Sequence, residues 1–303
     1  MSGPSIRTIG ERGVISRIRR RAGRSPSVPV GIGDDAAVIR TARGERLLFA
    51  SDMLVEGVHF RRKDTPPDWI GWKALAVNVS DIAAMGGQPR WAVVSLGVPP
   101  QTPLAFTDGL SRGLLRCARR YGVALVGGDT VRAPQVVIDV AILGEPGPRG
   151  PVLRQGAGPG DALFVTGRLG GSLASGRHAR VTPRVREAQA LVRAVPVRAM
   201  IDLSDGLAAD LGQLSRASRV ALRVEAARIP RQRGATLAQA LFDGEDFELL
   251  FAVAARDAAR VPRRLGACAV TRIGRVLRRG AGVELIDARG RCARLAPRGF
   301  SHF

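Results

Sequence analysis

The sequence predicts a two-domain α/β (α+β) protein, an N-terminal mixed sheet with helices followed by a C-terminal α/β domain. Short apolar runs of strand length alternate with longer helix-forming stretches along the whole chain. A Pro- and Gly-rich segment, EPGPRGPVLRQGAGPGD at 145–161, interrupts that alternation, and segments of this kind separate compact units. The length, 303 residues at 45% apolar composition, is ample for two buried cores. The division is therefore placed between 1–147 and 148–303.

In chain order, residues 5–22 read as an opening amphipathic helix, and strand-like runs follow near 28–33, 37–40 and 46–51. WIGWKALAVNVSDIAAMGG (69–87) has long helical stretches of Ala, Val and Ile, and RWAVVSLGVP (90–99) reads as a strand. LAFTDGLSRGLLRCARRYG (104–122) is a helix ending at Gly122. VALVGGDT (123–130) and QVVIDVAILGE (135–145) are further strands. After the break, ALFVTGRLGGS (162–172) gives a strand and a glycine-rich turn, and REAQALVRAV (186–195) a helix. RAMIDLSDGLAADLGQLSRAS (198–218) gives strand, turn and helix, and GEDFELLFAV (244–253) another strand.

Lys plus Arg number 47 against 26 Asp plus Glu, a formal charge of +21, yet only Lys63 and Lys73 are lysines. Arginines run through the whole chain, so the bland explanation is a compositional replacement of lysine by arginine. A nucleic-acid face would need a recognition module or an aromatic stacking platform, and aromatics are only 4% of residues. No specific nucleic-acid partner is expected. No apolar run approaches the roughly 18–20 residues of a membrane span, and no signal-peptide core follows the basic N-terminus. Cys117, Cys268 and Cys292 lie far apart and fit neither a disulfide framework nor a CxxC metal site. A cytoplasmic protein is expected.

The acids are scarce and recur in one context, an apolar run closed by small residues and then Asp. They are Asp34 and Asp35 in GIGDD, Asp52 in FASD, Asp81 in NVSD, Asp129 in GGD, and Asp202 and Asp205 in IDLSD. A single Asp in this setting is a turn former or helix cap. Several that converge repel one another unless cations sit between them, and hard oxygen donors without Cys or His point to Mg²⁺ completed by substrate phosphates. A nucleotide site follows, although no GxxxxGK[ST] loop, dinucleotide turn or protein-kinase motif set is present.

GIGDDAAV, SDMLVEGVHF, KALAVNVSDIAAMGG, GGDT, MIDLSDGLAADLG, GEDFELLF and the terminal GFSHF occur in that order. In this the chain resembles the thiamine-monophosphate kinases, of the superfamily that also holds aminoimidazole ribonucleotide synthetase. The resemblance implies an aminoimidazole ribonucleotide synthetase-like fold and transfer of a phosphoryl group from ATP to thiamine monophosphate, giving thiamine diphosphate and ADP. It implies several Mg²⁺ ions on Asp35, Ser51, Asp52, Asp81, Asp129, Asp202 and Asp205. ATP would contact Gly128, Asp129, Arg154 and Ser204. Thiamine monophosphate would contact His59, Glu245 and Phe300. Asp205, Asp81 and Asp129 would carry the catalysis, and a homodimer would form through the N-terminal sheets. Only one of Asp34 and Asp35 need face metal; the other caps or orients. The segment 172–190, SLASGRHARVTPRVREAQA, departs from the family pattern and keeps only TPRV of it. Selenophosphate synthetase would need a reactive Cys in an early Gly-rich segment, and no cysteine precedes Cys117.

Overall fold

A computed structural model describes residues 5–23 and 25–302. In chain order the elements are α1 (Ile6–Arg21), β1 (Ala37–Arg40), β2 (Arg46–Val55), α2 (Pro67–Ala84), β3 (Gln88–Val98), α3 (Leu104–Tyr121), β4 (Ala124–Arg132) and β5 (Val137–Glu145). They continue with β6 (Ala162–Thr166), α4 (Val185–Ala194), β7 (Val197–Asp202), α5 (Leu207–Ser218), β8 (Val220–Glu225) and α6 (Leu237–Phe242). β9 (Leu249–Val253), β10 (Arg264–Leu265), β11 (Cys268–Arg279), β12 (Gly282–Ile286) and β13 (Cys292–Arg294) complete the chain.

The first sheet has the order β1-β2-β5-β3-β4, antiparallel except for the β3–β4 pair. Period-two alternation decides its faces. Leu48 and Leu54 of β2 and Ile138, Val140 and Ile142 of β5 are buried. The opposite face holds Phe49, Met53, Trp91 and Val93, each at least 39% exposed. β4 is an edge strand. Gly128 in it has φ +155, and a Cβ there would overlap the Val94 carbonyl, so only glycine lets β4 lie against β3.

The second sheet runs β13-β12-β8-β11-β6-β9-β7, with β10 paired to β11. β6 and β9 are buried at every position, which is why ALFVT and LLFAV are continuous apolar runs. α5 packs on β7, β8 and β12, with α6 beside it.

α2 joins the halves. Most of its residues are buried, because it packs on β2, β5 and α3 and also on α4 and β7 of the second half. Pro67 at its first turn supplies a preset φ where no intrahelical N–H is needed. One apolar cluster accordingly runs from Leu48, Ile82 and Ile142 into Leu191, Met200 and Phe251.

Four expectations change. The run at 28–33 makes only isolated bridges, Val30 to Val38 and Ile32 to Asp34, because the chain turns there into the Asp34–Asp35 loop. α1 buries none of its residues and kinks at Gly10, so it is not an amphipathic core helix. β8, α6 and β11 to β13 had no sequence assignment. Asp52 and Asp129 lie inside β2 and β4 rather than at element ends.

Candidate active site

Three carboxylates from separate elements meet where the halves touch. Asp35 precedes β1, Asp81 lies in the last turn of α2, and Asp202 ends β7; one oxygen of each lies within 4.8 Å of the others. Asp35 and Asp202 are 7% and 2% exposed. Burial, then the charges of Asp52, Asp202 and Asp35, push the Asp81 carboxyl well above its ordinary range. Burial and Asp35 likewise raise Asp202, against a 2.6 Å hydrogen bond from Ser80. Burial, and the charges of Asp139, Asp205, Asp35 and Glu11, raise Asp52 to about 6. Its own N–H donates to the buried Asn78 side chain at 2.9 Å. Such crowding of like charges in a dry pocket calls for a cation.

The protein's own cation is Arg154. Its Nη2 donates to Asp35 at 2.7 Å, its backbone N–H to Asp34, and its Nη1 to Gln213 at 2.8 Å. Burial works against the guanidinium charge, but Asp35, Asp34 and Asp202 outweigh it. Gln213 then donates to Asp205 and to buried Asp210, both at 3.2 Å. Even so, one oxygen of Asp35 stays buried without a hydrogen-bond partner among the described residues. Oxygen donors alone, one of them unsatisfied, fit Mg²⁺.

A second group of residues abuts the same turn. The Glu245 N–H donates to the Ser204 carbonyl at 2.7 Å, and the Phe300 N–H to the Asp205 carbonyl at 3.0 Å. A Cβ on Gly299 would strike that Asp205 carbonyl, so glycine is required for the tail to close on it. The Phe300 ring lies 6.4 Å from His59 and 4.7 Å from His302, and His59 lies 5.1 Å from His302. His59 Nδ1 accepts the Val55 N–H at 3.0 Å. Burial, with His302 and Lys73 nearby, lowers its pKa. Lys73 of α2 pairs with Glu245.

The structure thus gathers Asp35, Asp81 and Asp202, with Asp52 and Asp205 in their electrostatic reach, and sets Arg154 on Asp35. His59, Ser204, Glu245 and Phe300 gather on the other side of the 202–205 turn. Ser51 and Asp129 lie elsewhere, on the uncovered face of the first sheet. There Ser51 donates to Asp139 at 2.9 Å, and Asp129 accepts from the Thr130 N–H at 2.8 Å. Gly128 is beside them in exposed β4. Of the GDD pair, Asp35 joins the cluster while Asp34 holds the Arg154 backbone. Sequence reading missed Asn78, Ser80, Asp139, Asp210 and Gln213, common polar residues whose spacing carries no signal. It also missed His302 and Lys73. The segment 172–190 is pinned to GEDFE: Arg177 pairs with Asp246 at 2.8 Å, and Arg184 of TPRV reaches Glu248 at 2.5 and 2.7 Å.

The family described as AIR synthase related protein, N-terminal domain, matches residues 33–145, and its C-terminal domain matches 158–286. Thiamine-monophosphate kinase of Rhodopirellula baltica is 40% identical, over 96% of this chain and 97% of that protein. The Bacillus subtilis thiamine-monophosphate kinase is 33% identical, over 96% and 98%. The chain belongs to the thiamine-monophosphate kinase family. A structure described as AaThiL complexed with AMPPCP and TMP superposes with TM-score 0.87 at 32% identity over the whole of both chains. Thiamine monophosphate kinase from Aquifex aeolicus gives 0.80 at 31%, over 96% of this chain and 99% of that one. Hydrogenase maturation protein HypE in complex with ATP gives 0.73 at 20% identity, a likeness of fold alone. The two-domain aminoimidazole ribonucleotide synthetase-like fold expected from the motifs is the fold of this chain.

Proposed function

We propose that this member of the family transfers the γ-phosphoryl group of ATP directly to the phosphate of thiamine monophosphate, giving thiamine diphosphate and ADP. The observation that carries the reading is the meeting of a carboxylate cluster and an aromatic, carboxylate-bearing pocket at one turn, 202–205. The acceptor phosphate is already an anion near neutral pH, so no general base is needed. A cluster built of carboxylates alone suits that chemistry. The barrier is repulsion between two anionic groups that must meet in line.

Asp35, Asp81 and Asp202 would hold Mg²⁺, with Asp52 and Asp205 supporting them. When bound, Mg²⁺ supplies screening of the phosphates and stabilises the charge on the leaving ADP. Arg154 is placed to leave Asp35 for a nucleotide phosphate, with Gln213 guiding it. Ser204 borders the same space. Phe300, with its π-face, and the Glu245 carboxylate suit the cationic thiazolium and aminopyrimidine. His59 packs beside them.

The uncovered face of the first sheet, with Phe49, Met53, Trp91, Val93, Val126 and Val131 exposed, supports a homodimer formed through it. That arrangement would bring Ser51, Gly128 and Asp129 to the border of a nucleotide cleft at the interface. The reading includes a division of the chain at 147/148 and a cytoplasmic setting; no helix among the described residues is long and apolar enough to cross a membrane.

End-point chromatography of the protein with ATP, Mg²⁺ and thiamine monophosphate tests the reaction. Thiamine diphosphate appearing with wild type and not with Asp205→Asn is the expected result. ATP consumed without thiamine diphosphate would assign a different acceptor.

A further inference from the structure

Lys73 is one of two lysines in a chain whose other basic residues are all arginine, and it is 1% exposed. A buried ammonium is unfavourable unless a counter-charge and hydrogen-bond acceptors surround it. Here both are present. Nζ donates to the His59 carbonyl at 2.9 Å and is paired with Glu245 Oε1. His59 belongs to the turn after β2, Lys73 to α2, and Glu245 to the segment between α6 and β9. One ammonium therefore ties together two acceptor-pocket residues that lie 186 positions apart in the chain, His59 and Glu245.

The backbone explains why Glu245 needs such a tie. It sits at φ +52, a region that non-glycine residues seldom adopt, and Phe247 beside it is at φ +49. Its N–H is held by Ser204, but its side chain has Lys73 as its only protein partner among the described residues. That side chain is 23% exposed, and Lys73 takes Oε1, which leaves Oε2 available to a ligand. The compact ammonium is enclosed in this slot with both acceptors in reach.

We infer that Lys73 is a positioning residue for the acceptor substrate: it fixes the Glu245 carboxylate and the His59 turn in the arrangement that receives thiamine monophosphate, without touching it. The inference rests on the acceptor reading of His59, Glu245 and Phe300. Lys73 also lies eight residues before Asp81 on the same helix, about 12 Å along its axis, so one rigid element sets both halves of the site.

Steady-state kinetics of Lys73→Met, Glu245→Gln and the double variant, with thermal melts of each, test it. Lys73→Met is expected to raise the KM for thiamine monophosphate ~10–100-fold, the usual effect of removing a group that orients a ligand-contacting residue, and to leave the KM for ATP unchanged. In the Glu245→Gln background the same substitution is expected to add much less than it does alone, because most of the effect of Lys73 passes through that carboxylate and only its hold on the His59 carbonyl remains. If Lys73→Met gives no cooperative melt, Lys73→Gln, which keeps a donor for the His59 carbonyl, is expected to show the same acceptor-specific KM rise. An unchanged acceptor KM in a folded variant, equal effects on both substrates, or simple multiplication in the double variant would overturn the inference. Wild-type protein that makes no thiamine diphosphate would instead overturn the acceptor reading beneath it.

Discussion

On one side of the 202–205 turn, Asp35, Asp81 and Asp202 crowd within 4.8 Å with the Arg154 guanidinium on Asp35, and the second Asp35 oxygen has no hydrogen-bond partner among the described residues. On the other side, Glu245 has its own ammonium in Lys73, and the His59 ring lies beside Phe300 and His302. The cluster is electrostatically incomplete as it stands, whereas the Glu245 charge on the acceptor side is already matched by Lys73. The comparison teaches that the chain relies on an external cation for one substrate and on preset side chains for the other. Substitutions on the two sides should therefore differ in which parameter they move.

The largest effect belongs to the cluster. Asp81→Asn or Asp202→Asn is expected to lower turnover by at least about 10²–10³-fold, as losing a group that stabilises transition-state charge does. The same variants are expected to melt higher than wild type when Mg²⁺ is chelated, because a repelled buried carboxylate is gone. A calorimetric scan beside the rate assay reads both.

On the acceptor side, Glu245→Gln is expected to raise the KM for thiamine monophosphate ~10–100-fold with ATP unaffected. Initial rates at varied concentrations of each substrate separate the two. Phe300→Ala removes an aromatic face from a cation, an effect of up to about 2 kcal/mol, or ~30-fold in the same KM.

The smallest effect is on stability against pH. Burial and neighbouring acids raise Asp34 and Asp52 to about 6, and Asp202 is raised further. A carboxyl with a raised folded pKa binds more protons in the folded state than unfolded, so its contribution is present below the unfolded value and is lost as pH rises through the folded one. Metal-free protein is therefore expected to melt progressively lower from pH 5 to about pH 8. Added Mg²⁺ should flatten that trend by binding the ionised cluster. Melts at several pH values, with chelator and with Mg²⁺, check it; a metal-free melt that rises over this range would remove the cluster's repulsion from the explanation.

The strands of the first half and the α2, α3 and α5 helices were legible because their apolar runs and Gly122 act locally. β11 to β13 were not, since arginines at every third position, as in TRIGRVLRR, hide a buried Ile273 and Val276 inside a basic string. The cluster's members were legible as repeated small-residue–Asp endings, but not their sorting. Asp129 and Ser51 share that context with Asp81, yet strand alternation turns them to the opposite face of the sheet. Lys73 escaped notice because a lysine inside an apolar helix pattern reads as an interruption until Glu245 is seen to meet it.

The most direct measurement is a single-turnover reaction with γ-labelled ATP, Mg²⁺ and thiamine monophosphate, comparing wild type with Asp81→Asn and measuring the affinity of each for thiamine monophosphate. Direct transfer predicts that label passes to thiamine diphosphate in wild type without residing on the protein, and that Asp81→Asn binds thiamine monophosphate normally but transfers almost nothing. Label trapped on the protein, or Asp81→Asn turning over at the wild-type rate, would contradict it.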